Sequence, residues 1–513
     1  MPAKIIIKAN SYYDSVTLMR ISGQVARLAG VEDVLVGMGT DLNKASLARM
    51  ELLTAEADAA SPNDLMIGIR AINDDVIEAA LREVEELLAP RQESGLEVEE
   101  QRPRTIRQAC QLSPGFNLAL ISVPGIYAAR EAREALRQGM HVFLFSDNVS
   151  VEDEIALKEM AAAQGLLMMG PDCGTAIING IPLGFANRVR RGSIGIIGAS
   201  GTGIQQVTTL IDSLGEGISQ AIGTGGRDLS EQVGGRTTLA ALEALARDSQ
   251  TQIIVIISKP PAPEVAAKIL ARAQQAGKPV VLCLLGARPL GHAGANISQC
   301  SNLEEAALRA VALARGGKEV SLAVEEAAVT VEALRAGRKA GQKYVRALYG
   351  GGTLCDEAMV VFRQEGIPIH SNIPFDQAEA LADIERSQGH TFLDMGDDYF
   401  TRGRPHPMIE PGLRVPRLLA EAADPEVAVI LFDVILGHGS HADPGGIMAE
   451  AVQEASQRAA GEGRRLVFVA ALIGTDNDPQ GLVRQRRQLE EAGVVVLPSN
   501  IRAARLAAAL VKE

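Results

Sequence analysis

Hydrophobic positions along this chain follow two alternating rules. Short unbroken apolar runs, the mark of strands covered on both faces, give way to longer stretches in which apolar residues recur three and four apart, the period of an amphipathic helix. The clearest instance spans residues 195–216, GIIGASGTGIQQVTTLIDSLGE. Ile194, Ile196 and Ile197 predict a buried strand. Gly198-Ala199-Ser200-Gly201-Thr202-Gly203 predicts a tight turn, and Ile204, Val207, Leu210, Ile211 and Leu214 the buried face of a helix that Gly215 and Gly217 stop. Strand, glycine turn and helix start together make an anion site. Unpaired N–H groups and the positive helix end point at one place, and glycine lets a phosphate come close. Ser200 and Thr202 then bond the phosphate; the plainer alternative is that they only cap the helix.

The same alternation divides the chain. Residues 1–100 predict a small N-terminal α/β unit, with strands at 4–8, 34–36 and 65–69 and helices at 14–29 and 74–88. Residues 91–107 are charged and contain proline, as a linker does. Residues 101–189 predict a Rossmann-like domain with strands at 118–123, 141–145 and 166–169 and helices at 127–138 and 150–164. Residues 190–315 repeat the scheme with further strands at 253–257 and 279–285, and residues 316–342 read as a helical linker. Residues 343–513 form a last unit with strands at 344–348, 391–395, 427–432, 466–470 and 494–497. Within it GHGSHADPGG, residues 437–446, is a second glycine-rich helix start, with Asp443 as N-cap and Pro444 as first helical residue. The fold class is α/β, built of several doubly wound domains.

Composition narrows the function. Of 513 residues 47% are apolar, so large cores can form, while aromatics are 3% and Trp is absent, which suits close-packed α/β layers. The net charge of −13 speaks against nucleic-acid or anionic-membrane binding as the general role. No apolar run reaches the length of a membrane span, and the start MPAKIIIKAN lacks a signal peptide's core. The five cysteines, Cys110, Cys173, Cys283, Cys300 and Cys355, form no CxxC pair, which points to free thiols in a reducing cytoplasm and to no structural zinc site.

Several segments resemble the succinyl-CoA synthetase superfamily, the NDP-forming acyl-CoA synthetases, and lie in its order. MGPDCGTAIING (169–180) is similar to the family's GPNCPG segment, and GSIGIIGASGTG (192–203) to its GKVGIVSRSGTL segment. AIGTGGRD (221–228) is similar to its GIGGDP, and GHAGA (291–295) to the loop that carries its phosphorylated histidine. FLDMGDD (392–398) and VILFDVILGHGSHADPGG (429–446) are similar to stretches of the beta subunit's ligase-CoA domain. With the N-terminal unit, the chain resembles the FdrA family, in which alpha-like and beta-like parts are fused. The resemblance implies a Rossmann-like CoA-binding-type domain followed by two flavodoxin-like domains. The chain departs from the superfamily in three ways. Residues 316–342 are too few to hold its nucleotide-activating ATP-grasp domain, so no nucleotide is expected to act on this chain. Its CoA-cradling GFTGxxG loop has no counterpart before Phe116, which makes CoA a doubtful ligand. The glutamate that holds its phosphohistidine aligns with Lys259 in IISKPPAP, where an ammonium attracts anions.

The resemblance implies His292 as nucleophile to phosphate, or as a donor to a phosphoryl or carbamoyl group; by itself it is an exposed loop histidine. Lys259, at a strand's carboxyl end where α/β sheets bind ligands, grips an anion or merely caps a loop. With them stand two glycine-rich helix starts, Ser200, Gly201, Thr202 and Gly203 on one side and Gly437, His438, Gly439 and Ser440 on the other, expected to converge on one site. Arg227 and Arg288 are candidates for a carboxylate substrate. His438, His441 and Asp443 are read as anion-binding rather than as a metal set, and no metal is assigned. Asp394, Asp397 and Asp398 either hold Mg²⁺ or form a turn, and Cys173 is read as a packed thiol. The expected function is a cytoplasmic carbamoyltransferase subunit, interconverting oxalurate plus phosphate with oxamate plus carbamoyl phosphate in anaerobic allantoin and purine catabolism, as the FdrA resemblance implies. Its small-molecule substrates are phosphate or carbamoyl phosphate, and its expected partners are other subunits of a homo- or hetero-oligomer. The alternative is an acyl-CoA synthetase with a phosphohistidine and a partner ATP-grasp subunit.

Overall fold

The computed structural model describes residues 1–513 apart from 12, 14, 27, 51, 89–102, 288–290, 292–293, 323–329, 403 and 513. The chain forms two compact units, Met1–Arg102 with Asp398–Pro405, and Pro103–Asp397 with His406–Glu513.

In the first unit β1 (Ala3–Lys8), α1 (Ser15–Val25), β2 (Val31–Met38), α2 (Asp41–Arg49), α3 (Ala55–Asp58), β3 (Leu65–Ala71) and α4 (Asp74–Leu88) follow one another. The sheet order is β1-β3-β2, antiparallel throughout. β3, the most apolar of the three, takes the centre, and Ile67 and Ile69 pack with Leu18, Ile21, Ile77 and Val84 of the helices. Ser22 locks α1 to β2, accepting from Val36 N at 2.8 Å and donating to its carbonyl at 3.2 Å.

The second unit begins with α5 (Ile106–Leu112), β4 (Leu118–Ile121), α6 (Gly125–Arg137), β5 (His141–Leu144), α7 (Val151–Ala163) and β6 (Met168–Met169), a three-stranded parallel sheet. Next come β7 (Thr175–Ile178), β8 (Ile181–Gly184), β9 (Arg191–Gly198), α8 (Gly201–Ser213), β10 (Ile218–Gly223), α9 (Arg236–Arg247), β11 (Ile253–Ser258), α10 (Pro263–Gln274), β12 (Val280–Leu284), β13 (Ile297–Cys300) and α11 (Leu303–Ala314). Their sheet runs β13-β12-β11-β9-β10-β7-β8. The β7–β8 hairpin thus belongs to this sheet and not to the three-stranded one before it. It pairs antiparallel with β10 and covers what is otherwise an apolar open edge.

After α12 (Val331–Arg335) the last sheet forms from β14 (Tyr344–Tyr349), α13 (Gly352–Gln364), β15 (Ile369–Ser371), β16 (His390–Asp394), α14 (Asp398–Thr401, counted with the first unit), α15 (Val415–Ala423), β17 (Val427–Ile435), α16 (Pro444–Gly461), β18 (Val467–Ile473), α17 (Leu482–Glu491), β19 (Val494–Leu497) and α18 (Asn500–Val511). All six strands are parallel, in the order β15-β16-β14-β17-β18-β19.

These two large sheets share one core. Ile204 and Val207 of α8, Ala307 and Val311 of α11, Leu354 and Ala358 of α13 and Ile501 and Ala504 of α18 belong to the same buried cluster. Buried polar groups register the four helices. Glu357 on α13 accepts from Leu303 N, the first residue of α11, at 2.8 Å. Gln206 on α8 accepts from Asn500 N, the first residue of α18, at 3.0 Å. Each sheet's first helix therefore caps the other sheet's last helix. Asn500 closes the network by accepting from Tyr349 Oη at 2.9 Å and donating to Glu357 Oε2 at 2.9 Å.

Strand order fixes where ligands can sit. In the seven-stranded sheet β9 leads to one side and β11 to the other, and in the six-stranded sheet β14 and β17 do the same. Crevices open at the carboxyl ends of both strand pairs.

Burial pushes the Glu357 carboxyl up to about 7, against the bonds from Leu303 and Asn500. A raised folded value means that stability is full below the usual 4.5 and is lost as pH rises to about 7. The Glu357→Gln variant, which keeps an acceptor for Leu303 N and cannot titrate, is expected to lose less stability than wild type between pH 4.5 and 7 in urea titrations. Glu357→Ala is expected to cost about 2–4 kcal/mol at either pH, because two buried donors lose their acceptor.

Candidate functional site

The site is built where the two crevices meet. β9 ends at Gly198, where a β-carbon would lie 2.6 Å from Ile204 Cγ1, so only glycine lets the helix fold back this tightly. Ser200 is the N-cap of α8 and its hydroxyl accepts from Gly203 N at 2.9 Å. The N–H groups of Gly201 and Thr202 have no partner among the described residues. Thr175 Oγ1, buried and without a hydrogen bond, lies 3.3 Å from where a β-carbon on Gly201 would stand. Thr224 Oγ1, just after β10, is likewise buried and unpaired, while its N–H donates to Gly198 O. Gly201 and Thr202 are half-open to solvent. Free donors, unpaired hydroxyls and a helix N-terminus converge here as an anion seat.

The helix start that faces it is that of α13. β14 ends at Tyr349 and runs into Gly350-Gly351-Gly352. A β-carbon on Gly351 would sit 2.9 Å from both Thr202 Cγ2 and Thr202 Oγ1, so the two starts touch at a point where only glycine fits. Ser200-Gly201-Thr202 and Gly351-Gly352-Thr353 occupy the same places in the two sheets. Further along, Gln206 matches Glu357, the two caps described above, and Gln205 matches Asp356. Gln205 Nε2 donates to Leu436 O, just past β17, at 3.2 Å, while Asp356 meets Lys259, just past β11, at 2.7 Å. The two halves are thus related by an approximate two-fold.

The two starts differ in charge. N–H groups of Gly350 and Gly351 both donate to Asp433 at 2.8 Å, and Asp433 is held by Arg414 Nη1 at 2.7 Å. A protein carboxylate therefore holds the turn before α13 at Gly350 and Gly351, the places of Ala199 and Ser200 before α8. Asp394, at the end of β16, places Oδ2 2.4 Å from where a β-carbon on Gly352 would stand, and its Oδ1 accepts from Gly396 N at 2.9 Å. Burial pushes the Asp394 carboxyl up to about 7, with Lys259 and the Gly396 N–H pulling down and Asp356 and Asp397 adding to the rise. Burial also raises Asp356, and Lys259 offsets part of that. At Lys259 burial pulls the ammonium down, but Asp356 and Asp394 outweigh it and the net shift is upward, so it stays charged. His406 is pressed down to about 4 by burial and then by Arg414, so it is neutral.

The residues expected from sequence fall in several places. Ser200, Gly201, Thr202 and Gly203 form the start of α8, and Lys259 pairs with Asp356 on α13, the helix whose start touches it. Gly437, His438, Gly439 and Ser440 do not join them. Gly437 and His438 pack on 185–188: His438 N donates to Ala186 O at 2.9 Å and its Nε2 accepts from Arg188 Nε at 3.1 Å. The start of α16 is closed by its own neighbours, because Gln485 on α17 accepts from Gly445 N at 2.6 Å and donates to Asp443 at 2.6 Å. The helix that pairs with α8 is therefore α13 and not α16. Arg227 is committed to α7, donating to Glu154 at 3.1 Å and Val149 O at 2.8 Å. Arg288 and His292 lie outside the described residues. Their loop leaves β12 beside Lys259, where Leu285 N donates to Ser258 O and Gly286 lies against Pro260 and Val360. Cys173 is 2% exposed and burial pushes its thiol up to about 12, as fits a packing role. Among the described residues no group of His, Cys, Asp and Glu has the arrangement of a metal site, and no helix is long and apolar enough to cross a membrane.

Asp356, Asp433, Arg414 and the run Gly350-Gly351-Gly352 escape the sequence pattern, and Asp394 is legible there only as one of three acids that hold Mg²⁺ or form a turn. The available signal was the repeat itself, a buried strand followed by GASGT at 198–202 and by GGGT at 350–353.

Paired switch-point crevices on two doubly wound sheets define an α/β protein on a succinyl-CoA-synthetase-like scaffold. Residues 189–286 match the family described as CoA binding domain, residues 348–510 that described as CoA-ligase, and residues 1–103 that described as AllF, heavy metal-associated domain. The chain belongs to the family of YahF of Escherichia coli (strain K12), an uncharacterized protein with which it is 50% identical over 503 residues, covering 98% of this chain and 97% of YahF. It is 29% identical over 215 residues to succinate–CoA ligase [ADP-forming] subunit alpha 2 of Archaeoglobus fulgidus, covering 39% of this chain and 72% of that one. Among solved structures, apo acetyl-coenzyme A synthetase 1 of Ca. Korarchaeum cryptofilum aligns over 77% of this chain and 82% of its own at 17% identity, with a TM-score of 0.29.

Two of these descriptions imply ligands. Residues 1–103 contain neither cysteine nor histidine, so the thiolate and imidazole ligands that commonly hold a heavy metal are lacking there. A β-carbon on Gly125, the first residue of α6, would run into Asp147 O and Asn148 O, so only glycine fits at the first βα turn of the three-stranded sheet, while the match to a CoA binding domain falls on residues 189–286.

The Thr202–Gly351 contact can be weighed by a double-mutant cycle. Gly351→Ala is expected to destabilise by about 1–3 kcal/mol through overpacking. Thr202→Ala, which removes both colliding atoms, is expected to return most of that loss in the double variant, read as a coupling energy in chemical denaturation.

Proposed function

We propose that this chain is the FdrA-type subunit of a carbamoyltransferase that interconverts oxalurate plus phosphate with oxamate plus carbamoyl phosphate. The observation that carries the reading is the open seat at the start of α8. Two N–H groups without a partner among the described residues, from Gly201 and Thr202, and the unpaired hydroxyl of Thr175 meet there. Phosphate binds by these N–H groups, each charge-assisted bond contributing roughly 1.5–3 kcal/mol. The same donors stabilise the oxyanion that develops as a phosphate oxygen attacks the carbamoyl carbon. Ser200 and Gly203 hold the turn in shape. Lys259 and His292 are the proposed reacting side chains, and Arg227 and Arg288 the proposed carboxylate contacts, with Arg227 first leaving Glu154. The match of residues 1–103 to the AllF description is in keeping with this assignment. Other subunits complete the enzyme in the cytoplasm, and no step runs through CoA.

A second reading is favoured by the CoA-ligase match of residues 348–510: an acyl-CoA synthetase in which His292 carries the phosphoryl group supplied by a partner's ATP-grasp domain. The two separate in one experiment. The chain with its co-purifying subunits is incubated with oxalurate and phosphate, or with γ-³²P-ATP, an acid and CoA. Carbamoyl phosphate in the first and no acid-labile label on His292 in the second is the expected outcome; a labelled His292 without carbamoyl phosphate overturns the proposal.

Thr202→Asp tests the seat directly. It places a carboxylate where the anion sits, while an acid in the first turn suits the helix. Phosphate affinity by calorimetry is expected to fall roughly ten- to a hundred-fold, with the melting temperature unchanged or higher. Unchanged affinity removes the start of α8 from the site.

A further inference from the structure

The approximate two-fold gives the structure two helix starts, and only one is an anion seat. The other is lined with acids that the proposed reaction has not yet used. Asp394 is held in place from behind: its N–H donates to Asn372 Oδ1 at 2.9 Å and its carbonyl accepts from Asn372 Nδ2 at 3.0 Å. Gly396 N satisfies Oδ1, while Oδ2 has no hydrogen bond among the described residues and faces Gly352, the neighbour in sequence of the glycine that touches Thr202. A β-carbon on Gly396 would lie 2.6 Å from His406 Nε2 and 3.2 Å from Asp394 Oδ1, so glycine there lets the imidazole close over the carboxyl. Asp394 as a residue is 8% exposed.

We infer that Asp394 is the general acid and base of the reaction, giving the proton that the departing amide nitrogen needs and taking it back in the reverse direction. The inference rests on the carbamoyltransferase reading. In the forward direction a phosphate oxygen of HPO₄²⁻ forms a bond to the carbamoyl carbon of oxalurate. The bond from that carbon to the amide nitrogen breaks, and the nitrogen takes the proton of Asp394 to give oxamate. The carbamoyl phosphate monoanion then returns its remaining phosphate proton to Asp394. Atoms and charge balance, and no other reactant is needed. The groups that face Asp394 are Lys259 from the end of β11, Cys355 and Asp356 from α13, Asp397 from its own turn, His406, and the Asp433–Arg414 pair. Burial carries its carboxyl up to about 7, so both forms are available near neutral pH.

The pH profile distinguishes this role from a structural one. In the full chain with its co-purifying subunits, turnover of oxalurate with phosphate is expected to fall above about pH 7, where the acid is lost. Turnover of carbamoyl phosphate with oxamate is expected to fall below it, where the base is lost. Asp394→Asn is expected to lower oxalurate turnover by about 10²–10⁴-fold and to erase both limbs, with phosphate affinity unchanged. It should spare phosphate-dependent turnover of 4-nitrophenyl carbamate, whose phenolate leaves without a proton. Equal loss of both donors, or limbs that persist in Asp394→Asn, overturns the inference and leaves the carbamoyl reading standing. A wild type that turns over neither donor overturns both. If Asp394→Asn does not fold, Gly352→Ala answers the same question, because its methyl group displaces Oδ2 while the carboxyl remains; an unaltered oxalurate rate there overturns the assignment.

Discussion

Everything at the junction depends on the exchange of helix caps between the two large sheets. A helix N-terminus buried at an interface carries N–H groups that need acceptors, and water cannot reach them. Here Glu357 on α13 serves α11 and Gln206 on α8 serves α18. Neither half is satisfied alone, so the sheets are held in one register. That register brings Thr202 against Gly351 and Lys259 against Asp356. The polar network contributes specificity more than stability. Packing of the apolar faces of α8, α11, α13 and α18 supplies the stability, and the caps decide which packing is allowed.

Approximate symmetry sets the differences between the two starts in relief. Position 433 on β17 is an aspartate, and the matching place on β11 is Ile257, whose side chain lies against Gly203. Asp394 on β16 likewise matches Gly223 on β10. The same backbone therefore presents free donors to solvent in one half and a buried carboxyl in the other. Arg414 pairs with Asp433 and Lys259 with Asp356, so each of these buried acids beside the contact has a cation. Asp394 is buried deeply enough that its proton is held more tightly, with Lys259 offsetting part of the rise.

The strands and the start of α8 were legible in the sequence because they are local signals. The apolar runs at 194–197, 253–257 and 427–432 lie where the structure has β9, β11 and β17, and Ser200 caps its helix. Gly350-Gly351-Gly352 went unassigned in the sequence because its pairing with Thr202 joins distant parts of the chain. The start of α16 misled for the same reason. Asp443 and Pro444 do stand at its N-cap and first position, but Gln485 from the next helix fills the place a ligand would need. Strand β10 and the β7–β8 hairpin were missed because ISQAIG mixes polar with apolar residues and the hairpin gains its meaning only at the edge it covers.

A site at the contact of two sheets gains a particular division of labour. An anion seat needs donors and rejects carboxylates, while a proton carrier at neutral pH needs a carboxyl kept from water and from too close a cation. One crevice cannot supply both environments within a few ångströms without each spoiling the other. Two crevices, built alike and held face to face, can. The glycines at 201, 351 and 352 let the seat and the carrier approach, because side chains there would fill the gap, and the reciprocal caps prevent the gap from changing width. The tolerance of the junction to substitution should follow from this: residues that set the distance are more constrained than those that line the surface around it.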